Sequence, residues 1–219
     1  MRIEQAEGTR GSLKWTQRLV EKHPSALDDQ LHSAGVLSAS NQLTWLSPLR
    51  SDQWAEYRDS RFLQTINQEH LIKKLKTFWP RRGPQWDALA NDESGRIFLF
   101  EAKAHGAEMR SSCKAGATSL RLINESMDDA KKAMGAKPCA DWLNGYYQYA
   151  NRLTHLAFLQ QSGLDACLVF VYFTGDEEMK GPTSEAAWTP FIDMAHQHLG
   201  LPQHPKDVVS VFLDVRTLR

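Results

Sequence analysis

Apolar and polar positions along the chain alternate with two periods, and the changes of period mark out the elements. Residues 13–21 carry apolar side chains at helical spacing after Gly11-Ser12, and a second short helical stretch runs over 24–31. Residues 33–50 keep no period and end at Ser47-Pro48. Ser51-Asp52 has the chemistry of a helix cap and predicts a helix over 51–66. Asn67 predicts a fresh cap for the next helix. Its apolar positions Leu71, Ile72, Leu75, Phe78 and Trp79 share one face, and Pro80 stops it. Residues 86–90 and an apolar run from Arg96 flank the polar turn "NDESG", a β-hairpin pattern. Helical periodicity returns over 118–134 and 141–161, interrupted around Gly135 and Pro138. The run "ACLVFVYFT" at 166–174 is apolar on both faces, as a buried central strand is. A helix over 183–199 and a strand over 208–215 complete the series. This order predicts an α/β fold, a mixed central β-sheet flanked by helices in one domain over 1–219. Residues 1–66 read as an N-terminal helical extension, and 175–219 as a C-terminal helix and strand.

Charge enters the picture at the hairpin. In "GPQWDALANDESGRIFLFEAKAHG" strand alternation puts Ile97, Leu99, Glu101 and Lys103 on one face, and Phe98, Phe100 and Ala102 on the other. Neighbours on one face lie about 6–7 Å apart, so Glu101 and Lys103 can both reach one phosphate-sized object. Pairing Ala90 with Arg96 would place Asp87 opposite Leu99, on the Glu101 face. A slip of one residue would send Asp87 to the other face. Two carboxylates beside a lysine form a hard, oxygen-rich site suited to Mg²⁺ or Mn²⁺. Such an ion lowers the pKa of bound water and offsets phosphate charge.

The bare triplet Glu-x-Lys is cheap. With 12 Glu and 12 Lys in 219 residues, chance supplies on the order of one copy. A second copy exists at Glu178-Met179-Lys180, with Asp165 before it, but no hairpin joins those residues and it reads as a solvated turn. The copy at Glu101 ends a strand that is apolar on both faces, where charges are costly unless paired or metal-bound. The plainer alternative is a strand whose wet end emerges into solvent.

Composition narrows the setting without naming a partner. Hydrophobic residues at 42% and charged residues at 24% match an ordinary globular chain. The formal net charge of zero gives no global signature for nucleic acid or membrane, although local patches survive in a neutral total. Cys113, Cys139 and Cys167 are unclustered and fit free thiols in a reducing compartment. The opening "MRIEQAEGTRGSLKW" lacks the apolar core of a signal peptide, and no segment approaches the roughly 20 apolar residues of a membrane span. The expectation is a cytoplasmic protein with no membrane contact.

The segment "WDALAND-ESGRIFLFEAKAH", within 67–174, resembles the core of the PD-(D/E)XK, or restriction-endonuclease-like, nuclease superfamily. The resemblance implies a restriction-endonuclease-like core over 67–174 and a Mg²⁺-dependent (or Mn²⁺-dependent) endonuclease. Its partner would be nucleic acid, DNA ahead of RNA, and a homodimer is allowed for. The family's metal-binding Asp falls on Asp87, its Glu on Glu101 and its Lys on Lys103, which would orient or help deprotonate the attacking water. The carbonyl of Ala102 is implied as a further metal ligand. Relatives often carry an acid on the helix before the sheet. Glu69 is the favoured candidate and Glu56, in "WAEYRDSRFL", its rival; a first-turn Glu facing the helix dipole describes Glu69 equally. Many also carry a Gln on the helix after Glu-x-Lys, where Gln148 stands, with Asn144, Arg152 and His155 on its side; a hydrated helix face describes these as well. Two departures stand out: Trp86 occupies the position of the family's Pro, and no first core strand is visible between Pro80 and Gln85.

Lys73, Lys74, Lys76, Arg81 and Arg82 form the densest basic cluster, either a phosphate-binding face or a solvated one. His105 suits a surface position, and His196 and His198 diverge on a helix. Trp54, Trp79, Trp86 and Trp142 sit at apolar positions and belong to the core. The second reading of the whole chain is a nuclease-like fold that binds nucleic acid or protein without turnover.

Overall fold

The computed structural model describes residues 1–203 and 205–219. Along the chain the elements are β1 (Arg2–Ile3), α1 (Gly11–Lys22), α2 (Asp28–Ser33), β2 (Thr44–Ser47), β3 (Glu56–Tyr57), α3 (Asp59–Thr65) and α4 (Ile72–Phe78). There follow β4 (Ala88–Asn91), β5 (Ile97–Lys103), α5 (Ala117–Met134), α6 (Tyr147–Gln161), β6 (Ala166–Thr174), α7 (Glu185–Leu199) and β7 (Val208–Asp214). The fold is α/β, with a five-stranded mixed sheet in the order β2-β4-β5-β6-β7. The β2–β4 and β4–β5 pairs are antiparallel, and β5–β6 and β6–β7 are parallel. Among the described residues no helix is long and apolar enough to cross a membrane.

Period-2 alternation sorts the sheet's side chains into two cores. Ala88, Ala90, Phe98, Phe100, Val169 and Val171 meet Trp15 and Leu19 of α1, Leu31 of α2 and Leu27 just before it. On the opposite face Leu89, Ile97, Leu99, Leu168 and Phe170 meet Leu153 and Leu156 of α6, together with α3, α4, α5 and α7. Every residue of β5 and β6 is buried, which is the condition that their unbroken apolar runs require. The charged residues Glu101 and Lys103 lie on the α6 side of this three-layer stack.

Four sequence expectations are corrected. Residues 33–50 contain β2, which pairs Trp45 with Ala90 at the sheet edge. The helix expected over 51–66 is broken because Gln53 and Trp54 both take φ of 54°, a left-handed conformation that ends the turn begun at Arg50. The chain instead forms β3, which pairs with β1, and resumes as α3. Asn67 is left-handed (φ 57°) and caps nothing; a short 3₁₀ turn at Glu69–Leu71 leads into α4, which ends ahead of Pro80. The helix expected from Asp141 begins at Tyr147. The Asp141 carboxylate accepts from the N–H groups of Leu143 (2.9 Å) and Asn144 (3.1 Å), and Gly145 turns the chain at φ 78°.

Candidate functional site

The hairpin pairs Ala90 with Phe98 and Ala88 with Phe100, so the Ala90–Arg96 pairing is replaced by a register two residues away. A shift of two preserves side-chain parity. Asp87, one step before β4, therefore stays on the Glu101 face and comes opposite Glu101 instead of Leu99. Its Oδ2 accepts from the Ala102 N–H at 2.7 Å, a bond between the two strands that fixes where the carboxylate points. Because the N–H and C=O of a strand residue face the same edge, the Ala102 carbonyl also turns toward Asp87 and the open end of the hairpin.

Glu101 and Lys103 are ion-paired through Oε1 and Nζ, both side chains largely buried. The other Glu101 oxygen accepts from Arg152 Nε at 2.5 Å. Arg152 in turn donates to the Gln85 carbonyl (2.6 Å) and to Asn151 Oδ1 (2.8 Å), with its guanidinium 5.0 Å above the Trp86 ring. Residues 149–159 of α6 are buried, so the hydrated helix face is not what this helix presents. Helix α6 is packed all round, and Arg152 and His155 are interior side chains with assigned partners.

Glu56 is the acid that sequence reasoning ranked second and the structure brings in. The β1–β3 pair and a bridge from Tyr57 to Trp86 hold it against the hairpin. It is 6% exposed, and its Oε2 accepts from Gln5 (3.2 Å) and Gln85 (2.5 Å). Glu69 lies exposed on its 3₁₀ turn and does not join the cluster. Glu56, Asp87, Glu101, Ala102, Lys103 and Arg152 line one cavity of about 520 Å³, with Gln148 on its exposed lip. Glu108 also reaches this cavity, where its Oε2 accepts from the Ala104 N–H at 2.8 Å and its Oε1 lies 3.4 Å from His105.

Electrostatics divide the carboxylates into two kinds. Burial opposes ionisation of Glu101, but the adjacent Arg152 and Lys103 cations outweigh it and hold the carboxyl below its ordinary value. Burial pushes Asp87 well above the usual carboxylate range, and the charges of Glu101 and Glu56 push in the same direction. Burial likewise raises Glu56. Burial would lower Lys103, but Glu101 and Asp87 reverse that and raise it. Among the described residues no group of three or more acidic, His or Cys side chains forms a ready coordination shell, and both Glu101 oxygens are taken by cations. In chemistry the donors still suit a hard divalent ion: carboxylates of Asp87 and Glu101 and the Ala102 carbonyl, with the ionisation of Asp87 and Glu56 opposed by burial and by neighbouring carboxylates, a cost that a cation would relieve.

The basic cluster splits. Lys74 donates to Ser162 Oγ at 2.8 Å and stands 5.6 Å over the Phe158 ring, away from the carboxylates. Lys73 is exposed on α4. Lys76, Arg81 and Arg82 rim a second cavity of about 710 Å³ whose wall includes Trp79 and His155. The larger hollow is thus the basic one, next to the acidic one. No protein family, curated protein or solved structure matches this chain.

Proposed function

We propose that the chain is a divalent-metal-dependent nuclease with a restriction-endonuclease-like core, hydrolysing phosphodiester bonds of nucleic acid, DNA ahead of RNA. The observation that carries the reading is the arrival of Asp87, Glu101 and Lys103 on one strand face in one cavity, at the open end of the β4–β5 hairpin. Asp87, Glu101 and the Ala102 carbonyl would hold Mg²⁺ or Mn²⁺, which when bound supplies an acidified water and charge neutralisation at the phosphate. The remaining work belongs to the chain. The Ala102 N–H orients Asp87. Lys103, kept charged by Glu101 and Asp87, suits holding a phosphate oxygen or orienting the water; as an ammonium it donates protons in hydrogen bonds and accepts none. Glu56, on β3 and not on the helix before the sheet, would supply the additional acid, and Gln148 at the lip would touch substrate.

One observation favours the second reading, a binding module without turnover: Arg152 and Lys103 already satisfy Glu101. Two experiments separate the readings. Purified protein is incubated with single-stranded DNA, double-stranded DNA or RNA in Mg²⁺ or Mn²⁺; cleavage lost in Asp87→Asn and Lys103→Met, both still folded, supports the enzyme. Calorimetric titration with Mn²⁺ should show binding that Asp87→Asn removes. No cleavage of any substrate, together with no Mn²⁺ binding, would leave the binding module.

A further inference from the structure

The larger cavity has features that solvated surface lysines do not share. His155 is 2% exposed and lines it. Its Nδ1 lies 2.9 Å from the Asn151 carbonyl, which can only accept, so Nδ1 carries the proton. Burial lowers the imidazole pKa to about 3, so the ring is neutral and Nε2 is a bare acceptor. Among the described residues Nε2 has no hydrogen-bond partner. The space it faces is kept open by a glycine. A methyl group at Gly83 would lie 3.4 Å from Nε2, 3.4 Å from the Trp79 ring and 3.3 Å from Asp59. Leu75 and Pro80 add apolar wall, while Lys76, Arg81 and Arg82 rim the opening. The one carboxylate there, Asp59, is engaged by the N–H groups of Gly83 (2.8 Å) and Arg82 (3.4 Å), which leaves the rim cationic.

We infer that this cavity is a nucleotide subsite, taking one unstacked nucleotide of a bound strand with its base inward against Trp79 and His155 and its phosphate on Arg81, Arg82 and Lys76. The inference rests on the nuclease reading for its class of substrate and adds a place where the strand is held. A volume of about 710 Å³ is ample for one nucleotide. An interior walled by Trp79 and carrying the bare imidazole acceptor of His155 suits a base edge that bears an amino group, as adenine and cytosine do. The two cavities also lie within reach of one strand. Gln148 and Arg152 face the acidic cavity and His155 the basic one. At about 1.5 Å rise per residue, Gln148 to His155 spans about 10 Å, a distance that a few nucleotides of one strand cover.

The test is equilibrium binding in EDTA, read by fluorescence anisotropy, so that cleavage plays no part. A labelled single-stranded DNA hexamer is compared with a fully abasic strand of equal phosphate count, using the whole chain as wild type, Gly83→Ala and Arg81→Ala/Arg82→Ala. Wild type should bind the base-bearing strand on the order of tenfold more tightly than the abasic one. Gly83→Ala, which fills the space before Nε2, should bring the two strands together. The double arginine variant, altered only at exposed positions, should lower the slope of log K against log salt by about 1.4, from two contacts at ~0.7 each. Equal affinity for both strands in wild type, or an unchanged salt slope in the arginine variant, overturns the subsite. If Gly83→Ala does not fold, the arginine variant and the wild-type strand comparison decide alone. Cleavage in Mg²⁺ with binding unaltered by these variants would overturn the subsite and leave the nuclease. Base-dependent binding without cleavage would do the reverse.

Discussion

Arg152→Met tests how the acidic cavity is held together in the absence of metal. The guanidinium makes three hydrogen bonds, to Glu101, Asn151 and the Gln85 carbonyl, from a side chain only 5% exposed to a partner only 2% exposed. Methionine keeps the aliphatic bulk and removes every donor. Breaking one partner out of a buried pair costs about 3–5 kcal/mol, because the remaining charge is stranded. Lys103 still contacts Glu101, so the lower end, about 3 kcal/mol, is expected. For a chain of this size that lowers the unfolding midpoint by about 6–12 °C, at 2–4 °C per kcal/mol. Adding Glu101→Gln removes the stranded anion and should restore much of the loss, so the double-mutant cycle is strongly non-additive. The assay is thermal unfolding in EDTA of wild type, both single variants and the double. A loss below about 1 kcal/mol in Arg152→Met, or strict additivity in the cycle, would refute the buried clamp. Repeating the scan with Mn²⁺ adds a functional arm: the variant has lost one of the two cations that compete for Glu101, and it should gain more from the metal than wild type does.

Three further outcomes follow from the same geometry. Asp87 is raised by burial and by Glu101 and Glu56. A carboxyl whose folded pKa exceeds its unfolded one stabilises below the unfolded value and loses that contribution as pH rises through the folded value. In EDTA, Asp87→Asn should therefore melt above wild type at pH 7, with the gap closing toward pH ~4; a gap independent of pH would contradict the assignment. His155, lowered by burial to about 3, should show no imidazole titration by NMR between pH 5 and 8. Its contribution to stability is complete above the ordinary pKa of 6.5 and falls as pH drops toward 3; a midpoint near 6.5 would mean that the ring is not buried as described. Glu56→Gln should weaken Mn²⁺ binding about 10–100-fold, whereas Glu69→Gln at its exposed turn should change neither binding nor stability beyond ~0.5 kcal/mol. The opposite ranking would return the role of the additional acid to Glu69.

What the sequence made legible was whatever depends on local period. The long strands β6 and β7 and the helices α5 and α7 carry enough turns or alternations for the pattern to stand by itself. The shared face of Asp87, Glu101 and Lys103 was legible even though the register was misplaced, because an error of two residues leaves parity intact. What stayed hidden depends on distant pairing. Strand β3 has two residues, too few to show a period, and it exists because Ile3 and Trp86 flank it. Glu56 therefore looked like part of a helix, and its approach to the hairpin left no local trace. Arg152 did leave one, a charge within the apolar run "YANRLTHLAF", but the same run was described as well by a hydrated helix face. The end of α6 nearest the site was placed at Asp141 instead of Tyr147, because the Asp141 carboxylate closes a turn ahead of the helix.

The segment 80–87 ties the two cavities into one arrangement of charge. It begins with Pro80, Arg81 and Arg82 at the basic rim and ends with Gln85 and Asp87 in the acidic cavity. Within the acidic cavity the charge is uneven. Glu101 is matched by two cations and is held ionised, whereas Asp87 and Glu56 are raised by burial and, among the described residues, form no ion pair. An entering divalent ion gains most on the Asp87–Glu56 side, and a phosphate gains most at Arg81, Arg82 and Lys76. On the proposed function this order matters. A strand anchored by its phosphates at the basic rim meets buried carboxylates that offer its next phosphate no attraction until a bound cation adds positive charge there. Strand binding and metal binding should then be positively coupled: Mn²⁺ should tighten binding of an uncleavable phosphorothioate strand, and Asp87→Asn should abolish that gain while leaving the metal-free affinity near or above that of wild type. Equal affinity with and without Mn²⁺ in wild type would show that the two cavities act independently.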